Sequence, residues 1–239
     1  MRKLVIIPTY NERENIAAMV EKVMSLEGDF DLLVIDDGSP DGTAEVVRSY
    51  IPRYGERLHL LERSGKLGLG TAYLMGFRWG LEQGYELLAE MDCDFSHNPD
   101  DLTRLVAAIE EGADVAIGSR YVRGVNVVNW PMGRLLTSYF GSKYVRTITR
   151  MPIHDTTAGF VCYTRKALER IDLDAIGMKG YGFQIEMKYT AWRLGLKLRE
   201  VSIIFTERRE GASKMSGGIV REALFGVIGL CFKRIKPKA

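Results

Sequence analysis

Short apolar runs alternate with stretches whose apolar residues recur at helical spacing, a pattern that predicts βα units and a largely parallel sheet. Leu4 to Pro8, Asp31 to Asp36, Leu58 to Glu62, Tyr85 to Asp92 and Val115 to Ser119 are the expected strands. Ile16, Met19, Val20 and Val23 mark the first helix, and Leu102, Leu105, Val106 and Ile109 mark the fourth. Asn11 followed by Glu14 fits an N-cap with a reciprocal acidic residue, so the first helix is expected to begin there. The third helix, Leu69 to Gln83, carries Ala72, Gly76 and Gly80 on one face, small enough for close packing on a sheet or a ligand. After Ser119 the rhythm stops. Arg120 to Arg150, with Pro131 and many basic residues, predicts a loop and then a helix from about Met132 over the sheet's ligand edge. Asp155 to Tyr163 reads as a turn into a further strand, Tyr181 to Leu194 as a helix, and Leu198 to Phe205 as a late strand. Gly217 to Ile235 is apolar over much of its circumference and runs into a basic end, KRIKPKA.

Composition narrows this picture. With 239 residues, 46% apolar and 27% charged, the chain is globular, and one core with an appendage is expected. A net charge of +2 gives no global field for nucleic acid, which is not expected as a partner. Cys93, Cys162 and Cys231 are far apart and form no C-x-x-C pair, which argues against a zinc cage or a disulfide framework and suits a reducing compartment. The apolar run before Pro8 is too short for a signal peptide, and Ala223 to Phe232 is about ten residues against the ~20 that a spanning helix needs. Neither export by that route nor membrane crossing by this chain alone is expected.

The candidate chemistry is acidic and sits where strands end. Asp36 and Asp37 follow the second strand in IDDGSPDGT, and Asp92 and Asp94 follow the fourth in MDCDFSHNPDD. In open α/β sheets ligands bind beyond the carboxyl ends of strands. Carboxylates at i and i+2 can converge there on a divalent ion shared with substrate phosphates. Asp, Gly, Ser and Asn are also turn formers, so one such cluster alone is ordinary, whereas two at one sheet edge are not. The GKLGLG run at Gly65 to Gly70 fits neither G-x-G-x-x-G nor a P-loop, and reads as a loop whose backbone closes over a nucleotide.

PTYNE (Pro8 to Glu12), DDGSPDGT (Asp36 to Thr43), GLGTAY (Gly68 to Tyr73), MDCDFSH (Met91 to His97) and GSRY (Gly118 to Tyr121) resemble glycosyltransferase family 2. DTTAGF (Asp155 to Phe160), KGYGFQIE (Lys179 to Glu186) and FTERREGASK (Phe205 to Lys214) are similar to the dolichol-phosphate, or polyprenol-phosphate, mannosyltransferases. The resemblance implies a GT-A fold, Rossmann-like, with a mostly parallel sheet and helices on both faces, over residues 1–216. A C-terminal amphipathic, membrane-associating segment would follow over 217–239. Many relatives continue into transmembrane helices, whereas this chain ends after one amphipathic segment.

By the same resemblance, Pro8, Tyr10, Glu12 and Asp37 hold the base and ribose of GDP-mannose, with Cys93 among the donor-site residues. Asp92 and Asp94 form a D-x-D on Mg²⁺ or Mn²⁺, and Ser96 stands where some relatives carry a further ligand. Arg120, Lys179 and Arg208 face the donor diphosphate, Arg120 counting with Asp92 and Asp94 as catalytic, while Arg134, Arg208 and Lys214 face the acceptor phosphate. The chemistry of the residues agrees with this. A phosphate monoester is largely a dianion at neutral pH and needs no general base, which suits a chain with three histidines. It does need cationic neutralisation, and Arg forks grip phosphate oxygens in pairs. A single displacement at the anomeric carbon predicts inversion. Val220, Leu224, Val227 and Cys231, widened by Phe225, Ile228 and Phe232 and followed by Lys233, Arg234, Lys236 and Lys238, suit a helix lying in a membrane interface. The expected place is the cytoplasmic face of a membrane, with small membrane-anchoring subunits as potential partners. UDP-glucose or another nucleotide sugar as donor, or a nucleotide-sugar-binding subunit without turnover, stay open alternatives.

Overall fold

The sheet that the alternation predicts is present in a computed structural model, which describes residues 1–178, 180–207 and 226–238. β1 (Lys3–Thr9), α1 (Arg13–Met24), β2 (Phe30–Asp36), α2 (Thr43–Tyr54) and β3 (Leu58–Glu62) make the first two βα units. α3 (Leu69–Glu82), β4 (Leu87–Glu90), α4 (Asp101–Glu110) and β5 (Val115–Ser119) follow. The remainder comprises β6 (Val127–Val128), α5 (Met132–Thr149), β7 (Val161–Thr164), α6 (Arg165–Arg170), α7 (Gly180–Arg193), β8 (Leu198–Ser202) and β9 (Phe205–Thr206). Seven strands form one sheet in the order β3-β2-β1-β4-β7-β5-β8, and β6 pairs with β9 apart from it. β7 runs antiparallel between β4 and β5, and the other pairings of the main sheet are parallel.

Strand alternation sets the layers. Leu4, Ile6, Leu33 and Ile35 face a core shared with α3, α6 and α7, whereas Val5, Ile7, Leu32 and Val34 face α1, α2 and α4. The small residues of α3 work as expected: a Cβ on Gly76 would lie 2.7 Å from Ile6 Cγ2, and one on Gly80 would lie 2.5 Å from Leu88 Cδ2. Because β2 and β3 lie on one side of β1 and β4 on the other, the chain reverses between β1 and β4, opening a crevice at their carboxyl ends.

Three local expectations are revised. Helix α1 starts at Arg13 behind Glu12 with no side-chain cap, and Asn11 is left-handed at φ 59°. The entry is held from outside instead: Asn11 N–H donates to Ser39 Oγ and Glu12 N–H to Thr43 Oγ1, so the second loop does the work assigned to an Asn11–Glu14 box. The fourth strand is shorter than its apolar run, since Tyr85 turns its hydroxyl to Asp31 at 2.8 Å. The late strand divides: Ile203 N–H bonds Ser119 O, and Phe205 N–H leaves the main sheet for Asn126 O. At the far end, residues 226–232 are helical, with Val227 and Leu230 inside the core and Ile228 and Phe232 exposed, Phe232 at 84%. The described part of the segment 217–239 is therefore packed on the domain by one face.

Candidate active site

The loops leaving β1, β2, β4 and β5 meet at one edge of the sheet, and ladder bonds beyond the strand ends fix their start. Asp37 N–H donates to Thr9 O and Met91 N–H to Ile6 O. Asp36 is spent on this scaffold, accepting from Thr9 Oγ1 (2.9 Å), Ser39 N–H (2.8 Å) and Ser39 Oγ (2.6 Å). Asp41 caps α2 through Thr43 N–H and Thr43 Oγ1 and also accepts Arg13 N–H. Asp37 is 6% exposed and paired at 2.5 Å with Arg63, whose other donors reach Thr71 Oγ1 and Gly68 O. Arg63 thus ties the end of the 65–68 loop and the start of α3 to the Asp37 corner; Leu69 and Gly70, which the GKLGLG reading placed in the loop, are already helical. Sequence reasoning passed over Arg63, although its place just after β3 matches that of Asp37 just after β2. Pro8, Tyr10 and Glu12 are half-buried beside this corner, and Lys66 Nζ lies 5.0 Å from the Tyr10 ring centroid.

At the β4 corner the carboxylates are placed differently. The Asp92 side chain is 39% exposed, with the Tyr73 hydroxyl 3.4 Å from its Oδ1. Asp94 is buried and accepts Ser96 N–H. Cys93 between them is in the core, where burial pushes its thiol well above the usual range, so any donor contact there falls to its backbone. Ser96 Oγ and His97 Nδ1 are buried without a hydrogen-bond partner among the described residues. His97 stacks on Phe160 at 5.1 Å, and burial pulls its pKa down to about 4, so the nearby Asp92 carboxylate does not make it a cation at neutral pH. Among the described residues no third His, Cys, Asp or Glu side chain converges with the pair.

Two of the expected phosphate cations, Arg120 and Arg134, are engaged. Arg120 is 8% exposed and forks onto Asp155, Nε to Oδ2 and Nη2 to Oδ1 at 2.6 Å each, while its backbone N–H also donates to Oδ2. Tyr121, Trp130 and Phe205 surround the guanidinium at 5.2 to 5.5 Å. Burial acts to raise the Asp155 carboxyl, but Arg120 and its hydrogen bonds hold it below the usual range. Arg134 lies over Trp130 at 4.3 Å and pairs with Glu207 at 2.5 Å. Lys179, Arg208 and Lys214 lie outside the described residues.

Behind the D-x-D runs a buried polar chain that includes Gln184 of the KGYGFQIE motif. Lys188 Nζ donates to Ala158 O (2.6 Å) and to Gln184 O and Oε1, which turns the Gln184 amide nitrogen toward Glu90. An ammonium only donates, so the amide has one sensible orientation. Burial pushes the Glu90 carboxyl up to about 8 and the Lys188 ammonium down to about 8.

The comparisons accord with this geometry. Residues 4–172 match the model of "Glycosyl transferase family 2". The chain is 50% identical over 226 residues to a polyprenol monophosphomannose synthase of Mycolicibacterium smegmatis, covering 95% of this chain and 85% of that protein. It is 48% identical over 227 residues to an undecaprenyl-phosphate mannosyltransferase of Micrococcus luteus, covering 95% and 93%. Among solved structures, glucosyl-3-phosphoglycerate synthase of Mycobacterium tuberculosis, in complex with Mn²⁺, UDP and glucosyl-3-phosphoglycerate, shares the fold at a TM-score of 0.72 and 18% identity, covering 97% of this chain and 80% of that one. The sheet, its crevice at the strand ends and this family match together establish that the chain belongs to glycosyltransferase family 2 and has a GT-A-like fold.

Proposed function

We propose that the chain transfers mannose from GDP-mannose to a dolichyl or other polyprenyl phosphate, with inversion, giving the β-mannosyl phospholipid and GDP. The observation that carries this reading is the 50% identity, over 95% of the chain, to a polyprenol monophosphomannose synthase. The site is chemically suited to it. A hard divalent ion such as Mg²⁺ or Mn²⁺ binds one or two carboxylates and draws further oxygens from substrate phosphate and water. Asp92 and Asp94 would hold it, and the unpartnered Ser96 hydroxyl is a further oxygen donor. Bound there, the ion would supply Lewis-acid neutralisation of the leaving diphosphate. Asp37, fixed by Arg63, presents the corner for the base and ribose of the donor, with Pro8, Tyr10, Glu12 and the Cys93 backbone beside it. The acceptor is already a dianion, so the chain's task is to neutralise and orient it, a role for Arg134, Arg208 and Lys214, with Lys179 and Arg208 on the donor diphosphate; no base is required. Arg120, buried and held by Asp155, is assigned to the donor diphosphate.

Peripheral attachment at the cytoplasmic face of a membrane completes the reading. Among the described residues no helix is long and apolar enough to cross a membrane. Residues 122–154 contain no Asp or Glu, and α5 exposes Met132, Leu136, Tyr139 and Phe140. An apolar face among cations suits anionic headgroups.

Incubation of the purified protein with radiolabelled GDP-mannose and a short polyprenyl phosphate, with and without Mn²⁺, tests the proposal. The expected result is a metal-dependent β-mannosyl lipid. A glucosyl lipid from UDP-glucose at higher kcat/KM would reassign the donor, and absence of any glycolipid would reject the reaction.

A further inference from the structure

Glu186 is 2% exposed, carries a full hydrogen-bond shell, and has no part in the proposed chemistry. Its Oε2 accepts the backbone N–H groups of Gly177 (2.9 Å) and Met178 (2.7 Å), the turn that leads into α7. Its Oε1 accepts Lys233 Nζ at 2.5 Å, and the same ammonium donates to Ala175 O at 2.5 Å. Lys233 follows directly on the C-terminal helix. The turn is gripped a second time by apolar contact. Met178 Cε lies 2.7 Å from where a Cβ on Gly182 would stand, and 2.5 Å from one on Gly226. Its side chain is therefore wedged between α7 and the C-terminal helix, each opposing it with a glycine. Val227 and Leu230 bury the same face of that helix in the core.

What the turn feeds is the site. In the first turns of α7, Phe183 stacks on Tyr73 at 6.1 Å and 10°, and the Tyr73 hydroxyl meets Asp92. Phe183 also lies 2.9 Å from the Cβ position of Gly70, in the first turn of α3 just after Gly68, whose carbonyl accepts from the Asp37-bound Arg63. Direct contacts thus lead from the C-terminal helix through Met178 and the first turn of α7 to both carboxylate corners.

We propose that Lys233 is a positioning residue: with Met178 it latches the C-terminal helix onto the Glu186-held segment, so that docking of this helix sets the donor and metal corners through Phe183 and Tyr73. The inference rests on the mannosyl-transfer reading for its kinetic test alone. Without Lys233 a buried carboxylate loses its cation, and relief comes by letting water and the turn move. The helix is then more than an anchor. Its removal should impair transfer to a short acceptor that needs no membrane, whereas an anchor alone would leave that reaction intact.

The test compares full-length wild type, Lys233→Met and Lys233→Arg, with GDP-mannose and a short water-soluble prenyl phosphate. Lys233→Met should lower kcat/KM for GDP-mannose about tenfold and weaken the calorimetric GDP affinity severalfold, and Lys233→Arg should restore most of both losses. Amide hydrogen exchange at Gly177 and Met178 should quicken in Lys233→Met while strands β1 and β4 stay protected. Unchanged kcat/KM for GDP-mannose with unchanged GDP affinity would overturn the proposal, as would exchange quickened throughout the domain. If wild type itself makes no mannolipid, the reaction reading fails, and the exchange measurement still decides the latch: no difference at Gly177 and Met178 overturns it.

Discussion

The β2 and β4 corners carry the same kind of signal, paired aspartates just after a parallel strand at one edge of one sheet, and the structure uses them in opposite ways. At the β2 corner each carboxylate has a protein partner: Asp36 holds Thr9 and Ser39, Asp37 holds Arg63, and Asp41 holds Thr43 and Arg13. At the β4 corner Asp92 remains 39% exposed on its side chain, and a buried serine hydroxyl stands close by in sequence without a partner. A carboxylate saturated by protein donors shapes a pocket. One that, like Asp92, meets the Tyr73 hydroxyl and still reaches solvent keeps room for a ligand.

The sharpest way to break this comparison is to remove each kind in turn. Asp94→Ala, and nearly as severely Asp92→Ala, should lower turnover at least a hundredfold, since electrostatic contacts to developing charge are worth about 3 to 4 kcal/mol. The melting temperature of Asp92→Ala should stay close to wild type, and that of Asp94→Ala should fall modestly because the Ser96 N–H loses its acceptor. Kinetics and calorimetry on the same preparations check it, and more than a tenth of wild-type activity in Asp94→Ala would place the metal elsewhere.

Asp36→Ala should do the reverse. It strands the Thr9 hydroxyl and the Ser39 N–H, and an unsatisfied buried polar group costs about 1 to 3 kcal/mol. A lowered urea midpoint with metal dependence unchanged is the expected result. A metal requirement shifted by Asp36→Ala would merge the two corners into one site.

Arg63→Met probes the boundary between shaping and binding. It removes the cation from Asp37 and frees the 65–68 loop from its staple. GDP affinity should fall by about tenfold, equivalent to about 1.4 kcal/mol, with a smaller loss of stability. Titration calorimetry with GDP reads this directly, and an unchanged affinity would make Arg63 a fold residue only.

These distinctions mark where sequence legibility stops. The strand alternation of β1 and β2, the glycine face of α3 and the D-x-D corner were readable because each depends on local spacing. The insertion of β7 between β4 and β5 was not, since pairing of Glu90 with Val161 is a choice between distant segments. Nor was the engagement of Arg120 by Asp155 or of Arg134 by Glu207: a sequence gives a cation's presence but not its partner. Glu186 sits in a motif that resemblance singled out, yet its bonds to Gly177, Met178 and Lys233 assign it to holding a turn.

The smallest effect concerns acid. Asp155 and Asp41 are both held below the ordinary carboxyl range; burial opposes this in each, outweighed by Arg120 for Asp155 and by Thr43 and the Arg13 N–H for Asp41. A carboxyl whose folded pKa is depressed adds stability above its unfolded value, near 3.8. That stability is lost as pH falls through the folded value, because the unfolded chain then binds more protons. Wild-type stability should therefore decline below about pH 4, by linkage of this kind. Asp41→Asn keeps one amide oxygen for Thr43 but gives up the bond to Arg13, so at pH 7 it should cost about 1 kcal/mol, the worth of one hydrogen bond. Below pH 4 the two curves should draw together, since the variant has one titrating carboxyl fewer to lose. Urea titrations of both proteins between pH 3 and 7 measure the gap. A gap that stays constant to pH 3 would show that Asp41 acts at this corner through shape alone, and that its charge plays no part in the turn.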